Sequence, residues 1–323
     1  MKTESIKIKL LLLVFISTLV SFVILGFNNT NNNYNSQDKF VTQSNLNIAK
    51  DSAKFINSYL QSKIDIVDAV RDNILNDSLT IENKDIVKKM DLAAKSGNFA
   101  LLYVGFEKNG NFLASDGTSR TPQSTDYDSR KRDWYKDAVA SNKSGITAPY
   151  VDYTTKKLVV SIYSPLKKDG QIIGVVASDI FIDTIVNTIL NIKFDIGEGL
   201  AYLIDSQNKI LIHKDKKLIN KKDNLFEQVK TKEENSIGEA TLNGTDKLVA
   251  YGSIDTAKWK VIIELDKDSI YKNINNTVIK EIFLYVILLV IILGIIFYSL
   301  LKILAPIKTL EDGLSFFFRY LKG

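Results

Sequence analysis

The sequence contains no cysteine and only one histidine among its 323 residues. Without cysteine the chain has neither a disulfide framework nor a cysteine-ligated zinc site, so its fold depends on the burial of apolar side chains. Walker loops, nucleophile elbows and the ligand spacings of zinc sites are missing as well. The lone histidine, His213, has no cysteine or second histidine to join it. We therefore predict a packing or solvated residue there, and no metal or other cofactor.

The chain is only mildly positive, with 42 Lys and Arg against 37 Asp and Glu. Lysines near the two ends and scattered pairs such as Lys216 and Lys217 explain the formal net charge of +5. A nucleic-acid-binding surface requires a clustered basic face, and here that face would have to lie in the cytoplasm. We therefore predict no nucleic-acid partner.

Two long apolar stretches, residues 10–27 and 282–301, each approach the roughly 20 residues that a membrane-spanning helix needs. Both are predicted to be transmembrane helices. The first is longer than the apolar core of a signal peptide, which has about 7 to 15 residues, and no A-x-A-like cleavage site follows it. An uncleaved anchor is therefore favoured over a signal peptide. The Asn-rich run "NNTNNNYN" that follows is predicted to be a linker or an interface segment.

Basic residues flank the two apolar stretches on their outer sides. Lys2, Lys7 and Lys9 precede the first stretch, and Lys302, Lys308, Arg319 and Lys322 follow the second. Because basic flanks mark the cytoplasmic side of a membrane helix, residues 1–9 and 302–323 are predicted to be cytoplasmic. Residues 28–281 then lie outside a plasma membrane that the chain crosses twice.

The outer segment begins with a helical pattern and continues with strands. Apolar residues recur at helical spacing from Asp38 to Leu75, and a shorter helix is predicted from Ile81 to about Lys95. Such a stripe usually serves core or dimer packing and not ligand binding. After Phe99 the apolar period changes to two, and "FALLYVGF", "NFLAS", "KLVVSIYSPL" and "QIIGVVASDIFI" predict the hairpins of an antiparallel sheet.

The strand pattern then returns. "LAYLIDSQNKILIHK" from Leu200 echoes "LLYVGFEKNGNFLAS" from Leu101, and three more short strands follow in "IGEATL", "KLVAYGSI" and "KWKVIIEL". The predicted fold is α+β, with two modules behind one long N-terminal helix, each module having its own antiparallel sheet. We assign the long helices to residues 28–96, the modules to 97–195 and 196–270, and an exit helix to 271–281. Since the second module leads into the exit helix, the first module should lie farther from the membrane.

One short region combines the groups that a free amino acid requires. A carboxylate favours a guanidinium, and an ammonium favours acidic oxygens and aromatic faces. The helix-forming "RDWYKDAVA" is predicted to place Arg132 and Tyr135 on one face, with Trp134 beside them. The strand "PYVDY" presents Tyr150 and Asp152 on one side, because side chains two residues apart in a strand point the same way. Asp179 is an unusual carboxylate in an otherwise apolar strand.

The order and spacing of seven residues resemble the amino-acid-binding signature of bacterial double Cache sensor domains, which have two PAS-like modules. These residues are Tyr127, Arg132, Trp134, Tyr135, Tyr150, Asp152 and Asp179. The resemblance implies that Tyr127, Arg132, Trp134 and Tyr135 lie at the ligand carboxylate. It implies that Tyr150, Asp152 and Asp179 bind the α-ammonium, all in the module of residues 97–195. No bond is made or broken in such a site, so no enzyme is expected.

Each of these residues also has an ordinary structural explanation. Arg132 and Trp134 near a helix start are typical of a surface cation and a core side chain, and Tyr150 is typical of sheet packing. Asp179 is able to cap a helix that begins near Asp183. The hypothesis of a binding site therefore depends on the seven residues occurring together in a fixed order.

The segment after residue 301, "KILAPIKTLEDGLSFFFRYLKG", resembles the beginning of a HAMP relay and is too short for a complete one. By this resemblance the chain is expected to be the sensory part of a methyl-accepting chemotaxis receptor. Such receptors are homodimers that act on a cytoplasmic histidine kinase and its adaptor through an output domain. The alternative is the same sensor in a histidine kinase or diguanylate cyclase. An anchored extracellular enzyme or a purely structural domain is less favoured.

Overall fold

The computed structural model describes residues 2–151, 158–194 and 197–321. Its helices are α1 (Lys2–Ile74), α2 (Lys84–Ser96), α3 (Pro122–Thr125), α4 (Asp133–Ser141), α5 (Asp183–Leu190), α6 (Leu225–Val229) and α7 (Lys267–Leu321). Its strands are β1 (Leu101–Phe106), β2 (Phe112–Ala114), β3 (Ser119–Arg120), β4 (Gly145–Ile146), β5 (Tyr150–Val151), β6 (Leu158–Lys168), β7 (Gln171–Phe181), β8 (Gly199–Ile204), β9 (Ile210–Ile212), β10 (Asn235–Leu242), β11 (Thr245–Ile254) and β12 (Trp259–Asp266). Long helices and antiparallel strands thus occur together, which confirms the predicted α+β class.

Helix α1 is continuous and contains the first apolar stretch, the Asn-rich run and the amphipathic stretch predicted from Asp38 to Leu75, of which only Leu75 lies beyond its end. From Ala49 onward its buried side chains recur every three or four residues. They are Ala49, Ala53, Ile56, Leu60, Ile64, Val67, Val70 and Ile74. All of them belong to one core cluster with residues of the sheets, so the predicted stripe serves core packing.

Two helices contain stretches that are long and apolar enough to cross a membrane, one within Leu12–Ile74 and one within Lys267–Lys302. The side chains of these stretches are not buried by the described part of the chain. Phe27 and Phe283, for example, are 72% and 67% exposed. Apolar surfaces of this length require apolar surroundings, which the hydrocarbon layer of a bilayer supplies.

The chain divides into two compact units, and the smaller one consists of Met1–Val41 and Asp268–Gly323. Within it the side-chain amide of Asn33 donates to the carboxylate of Glu281, and the Tyr271 hydroxyl donates to Asp38 Oδ1 at 3.4 Å. The rings of Tyr34 and Tyr271 stack with their centroids 5.9 Å apart. The Asn-rich run, for which we predicted a linker or an interface segment, is therefore helical and contacts α7.

The larger unit, Thr42–Lys267, contains two antiparallel sheets. In the first sheet the strand order is β3-β2-β1-β7-β6-β4, and β5 also pairs with β6. In the second sheet the order is β10-β11-β12-β8-β9. The two strand-turn-strand segments that echo each other in the sequence are β1 with β2 and β8 with β9, so each begins its own sheet.

The first sheet has a helix-covered face and an aromatic face. Alternation along β6 sends Val160 and Ile162 to the cluster that contains the α1 stripe, while Tyr163 joins a separate cluster with Tyr103 and Trp134. The polar strand residues Ser161 and Asp179 lie on the aromatic face. The sheet thus separates the candidate site from α1.

Helix α2 begins three residues later than predicted, at Lys84 instead of Ile81. The side chain of Asn83 accepts hydrogen bonds from the backbone N–H groups of Asp85 and Ile86, so it caps the helix at this point. The apolar period alone does not locate such a cap.

The second sheet packs tightly on α1 at Gly252. A Cβ built there would lie 2.5 Å from the carbonyl oxygen of Ala49 and 2.9 Å from the Cβ of Ala53. The obstructing atoms include helix backbone, which cannot move without shifting α1. We therefore expect Gly252→Ala to lower the free energy of unfolding by about 1–3 kcal/mol. Thermal unfolding of the purified chain measures this, with the exposed Asp246→Ala on the same strand as control. Equal melting temperatures for the two variants would contradict the expected close approach.

Candidate functional site

Aromatic rings form the floor of the candidate site on the first sheet. Tyr103 lies edge-on to Trp134 with ring centroids 5.0 Å apart, and its ring is 5.1 Å from that of Phe112. Trp134 reaches this position because Gly105 beneath it has no side chain. A Cβ on Gly105 would lie 2.7 Å from Trp134 Cη2. Burial of these rings gives the site a rigid wall that is largely shielded from water.

The acidic end of the site is organised around Asp179 on β7. Its Oδ1 accepts hydrogen bonds from the hydroxyl of Tyr103 at 2.8 Å, of Ser161 at 2.7 Å and of Tyr150 at 3.1 Å. Burial, together with the nearby Asp179 carboxylate, raises the pKa of Tyr103 well above its usual value. The phenol is therefore protonated at neutral pH and donates its hydrogen to the carboxylate. Asp179 is thus held in one orientation by donors from three other strands.

Strand pairing explains why these donors meet. Ser161 on β6 is directly opposite Asp179 on β7, and Leu101 on β1 is opposite Asp179 on the other side. Tyr103 lies two residues further along β1, and Tyr150 reaches the same carboxylate from β5 at the sheet edge. The buried Thr147 fixes this edge, because its hydroxyl accepts the backbone N–H of Ser161 at 3.0 Å.

The basic end is formed by residues before and at the start of α4. The guanidinium of Arg132 lies over the ring of Tyr127 at 5.5 Å, and that of Arg120 lies over the same ring at 5.1 Å. The pKa of Tyr127 lies above its usual value, because burial has the largest effect. The charges of Arg132 and Arg120 and a hydrogen bond with Trp134 act in the opposite direction. The charge of Asp179 also acts on the Tyr127 hydroxyl, so groups of opposite charge act at this one position.

A cavity of about 560 Å³ opens at the edge of the sheet. Its lining consists of Lys131, Arg132, Asp133, Trp134, Asp137, Thr147, Ala148, Pro149, Tyr150 and Ser161. Burial and the charge of Asp133 raise the pKa of Asp137 above its usual value. The cavity therefore joins a guanidinium to the hydroxyls that hold Asp179, and it is large enough for a small zwitterion.

The structure places the seven predicted residues in different ways. Arg132, Trp134 and Tyr150 line the cavity, while Tyr127 and Asp179 are each in contact with a residue that does. Tyr135 is buried, is not among the described residues that line the cavity, and donates from its hydroxyl to Glu107 at 2.8 Å. Asp152 lies outside the described residues.

One step in the sequence argument requires correction. We predicted that Arg132 and Tyr135 share a helical face, but Arg132 is the N-cap of α4 and has extended backbone angles of −83° and 148°. The helix begins at Asp133. Arg132 is exposed as a result, whereas Tyr135 is only 2% exposed. A cap position frees the guanidinium to turn towards the cavity.

The structure also decides between the alternatives given for two single residues. Asp179 does not cap the helix near Asp183, because α5 has Ile182 at its N-cap and no side-chain cap bond. His213 is mostly buried, stacks edge-on with Tyr202 at 5.3 Å and accepts the backbone N–H of Asp215 at 2.9 Å. These contacts are those of a packing residue. Among the residues described here, no group of three or more metal-ligating side chains is close enough to hold a metal ion.

Sequence reasoning assigned neither Ser161 nor Tyr103 to the site. Both are polar residues in apolar strands, "KLVVSIYSPL" and "FALLYVGF", and this was the available signal. Their contact with Asp179 depends on the register between strands, which the local pattern does not encode.

Comparison with known proteins assigns the fold. Residues 33–274 match the Cache domain family, and the chain belongs to this family. The methyl-accepting chemotaxis protein PscA of Pseudomonas syringae pv. tomato is 30% identical over 220 residues, which is 67% of this chain and 34% of PscA. The methyl-accepting chemotaxis protein PctB of Pseudomonas aeruginosa is 26% identical over 81% of this chain and 42% of its own length. This chain thus spans less than half of these relatives.

Solved structures give the same assignment. The ligand-binding domain of the Pseudomonas fluorescens chemoreceptor CtaA in complex with L-isoleucine has a TM-score of 0.58 and 26% identity, over 76% of this chain and 99% of that one. The corresponding domain of PctB in complex with L-Arg has a TM-score of 0.56 and 26% identity, over 69% and 93%. The predicted resemblance to Cache sensors is confirmed. The relatives are chemotaxis receptors, so the prediction of a sensor and not an enzyme is confirmed too.

Proposed function

We propose that this chain is the sensory part of a transmembrane chemoreceptor and that it binds free L-amino acids in the cavity of the first sheet. The observation that carries the proposal is the pairing of opposite charges across one small cavity. Arg132 lies at one end, and Asp179 is bonded to two of the lining residues, Tyr150 and Ser161. The complexes of CtaA with L-isoleucine and of PctB with L-Arg support the same class of ligand.

In this proposal the guanidinium of Arg132 binds the ligand α-carboxylate, helped by Trp134 and Tyr127. Charge-assisted bonds of this kind are about twice as strong as neutral ones. Tyr150, Asp179 and Asp152 bind the α-ammonium, and Tyr103 and Ser161 orient the Asp179 carboxylate. Tyr135, which bonds with Glu107, supports the wall formed by Trp134.

The remaining cavity wall receives the side chain of the ligand. Thr147, Ala148 and Pro149 form one part of it, and Lys131, Asp133 and Asp137 form the other. Positively and negatively charged groups thus lie outside the part of the cavity that holds the α-carboxylate and the α-ammonium of the ligand. Recognition of the zwitterionic end is therefore common to all L-amino acids, and this wall sets the preference among them.

The proposal extends to the arrangement of the chain in the membrane. Two helices cross the plasma membrane, both termini are cytoplasmic, and residues 28–281 lie outside with the module of residues 97–195 farther from the bilayer. Receptors of this class act as dimers on a cytoplasmic histidine kinase, and the relatives named above support this context. Ligand binding in the first module is the input, and a displacement of a membrane helix is the output.

A thermal-shift screen tests the proposed ligand class. The purified full chain in detergent is heated with each standard L-amino acid in turn, and with the corresponding D-enantiomer as control. A ligand at a hundred times its dissociation constant adds about 2.7 kcal/mol to the free energy of unfolding, which gives a clear rise in melting temperature. We expect a subset of the L-amino acids to raise it and their D-enantiomers to have little effect. No rise with any L-amino acid would overturn the proposal.

A further inference from the structure

A cluster of polar side chains joins the first sheet to α1 on the face opposite the cavity. Asp68 Oδ1 accepts hydrogen bonds from Ser144 Oγ at 2.5 Å, Ser164 Oγ at 2.6 Å and Arg71 Nη1 at 3.0 Å. Arg71 also donates to Ser164 Oγ at 2.9 Å, and Ser144 Oγ lies 3.1 Å from Ser164 Oγ. We call Asp68, Arg71, Ser144 and Ser164 the Asp68 cluster. It connects three parts of the chain that are distant in sequence.

One member of the cluster, Ser144, lies close in sequence to residues that line the cavity. It lies in the segment of residues 142–149, between the end of α4 and the start of β5. This segment supplies Thr147, Ala148 and Pro149 to the cavity lining. Its two flanking elements carry the groups that hold a ligand, since α4 begins beside Arg132 and β5 begins at Tyr150. A movement of either element must therefore move Ser144.

A second member, Ser164, lies on the strand that holds the acidic end of the cavity. Ser161 and Ser164 are three residues apart on β6, so their side chains point to opposite faces of the sheet. Ser161 bonds with Asp179 on the aromatic face, and Ser164 bonds with Asp68 on the face covered by α1. The Asp68 cluster thus contacts both the segment between α4 and β5 and the strand that carries Ser161.

We infer that Asp68 is the positioning residue through which occupancy of the cavity changes the state of α1. The inference rests on the amino acid binding proposed above. A ligand that bridges Arg132 and Asp179 draws α4 and β5 towards β6, which moves Ser144 relative to Ser164. Asp68 binds both serines with one oxygen, so α1 must follow or the bonds must break. Helix α1 also contains the first apolar stretch, so its displacement is an output that can reach a membrane.

The hydrogen bond from Ser144 is not needed to satisfy the buried Ser164. Arg71 already donates to Ser164 Oγ, and Ser164 donates to Asp68 without the help of Ser144. Ser144 itself is only half-buried, so water can bond with its hydroxyl when Asp68 is replaced. Removal of the Ser144 hydroxyl therefore removes the hydrogen bond between this segment and α1 and leaves the rest of the cluster bonded.

Hydrogen exchange measured on the full chain in lipid nanodiscs tests this inference. The wild type, Ser144→Ala, Asp68→Ala and a control, Ser141→Ala, are each compared with and without a mixture of the standard L-amino acids. Ser141 is a suitable control because its hydroxyl bonds to the backbone carbonyls of Ala138 and Lys143 and to the Tyr163 side chain, and to no member of the Asp68 cluster in the described part of the chain. Binding affinity is measured in parallel by calorimetry with the amino acid that the thermal-shift screen finds strongest.

We expect the mixture to change exchange in residues 60–74 of the wild type and of Ser141→Ala. In Ser144→Ala and Asp68→Ala this change should be lost, while affinity for the chosen amino acid changes by no more than about fivefold, the worth of one hydrogen bond. A merely structural role would lower affinity and leave the response of α1 proportional to occupancy. A response of wild-type size in Ser144→Ala at saturation would overturn the inference alone. Absence of binding to the wild type would overturn the proposed function as well.

Discussion

Replacement of Asp179 by asparagine should abolish most of the affinity for amino acids and leave the fold intact. The asparagine oxygen can still accept the hydroxyls of Tyr103 and Ser161, which are bonded to Asp179 Oδ1 in the structure. The negative charge that balances the ligand ammonium is lost, however. Removal of one partner of a desolvated charge pair costs about 2–5 kcal/mol, which corresponds to roughly a thirtyfold to several-thousandfold rise in Kd. Calorimetric titration of the full chain measures this directly.

Two further variants separate charge from structure at this position. Asp179→Ala leaves the buried hydroxyls of Tyr103 and Ser161 without their acceptor, so it should also lower the melting temperature. Asp116→Asn, in an exposed turn of the same sheet where the side chain accepts a backbone N–H, should change neither property. If Asp179→Asn binds amino acids with wild-type affinity, the ammonium is held elsewhere and the assignment of the acidic end fails.

The architecture was accessible from sequence because it depends on local patterns. The apolar stripe of α1 has a helical period, and the segments that form β6 and β7 have the two-residue period of a strand. Each pattern extends over ten or more residues. The echo between the segments at Leu101 and Leu200 marked two sheets for the same reason. Exact boundaries depend instead on single contacts such as the Asn83 cap, which moved the start of α2.

The binding site was only partly accessible because it depends on register and on backbone geometry. Asp179 was conspicuous as a carboxylate in an apolar strand, but its partner Ser161 follows from the pairing of β6 with β7. Arg132 was identified by its spacing from the other site residues, whereas the orientation of its side chain follows from the extended backbone at the helix cap. The link from Ser144 to Asp68 spans 76 residues and has no local signature at all.

Replacement of Arg132 by alanine should weaken amino acid binding as strongly as the loss of Asp179, and for a complementary reason. The guanidinium is held over the Tyr127 ring at the rim of the cavity, where it can offer two donors to one carboxylate. We expect a rise in Kd of about a hundredfold for Arg132→Ala. The Kd of Arg132→Lys should fall between those of the wild type and of Arg132→Ala, because a lysine ammonium keeps the positive charge but lacks the planar pair of donors. Arg130→Ala is the matched control, since Arg130 pairs with Asp128 at 2.8 Å and does not line the cavity among the described residues.

The ligand supplies a second test of the same contact. The wild type should bind an amino acid far more tightly than its α-amide, which lacks the carboxylate, whereas Arg132→Ala should bind the two almost equally. Asp179→Asn should keep the preference for the free acid, because its defect lies at the ammonium. The coupling between the Arg132 substitution and the amide substitution then measures the carboxylate contact by itself. If Arg132→Ala still discriminates fully between acid and amide, a different cation binds the carboxylate, and Lys131 in the same cavity would be the residue to replace next.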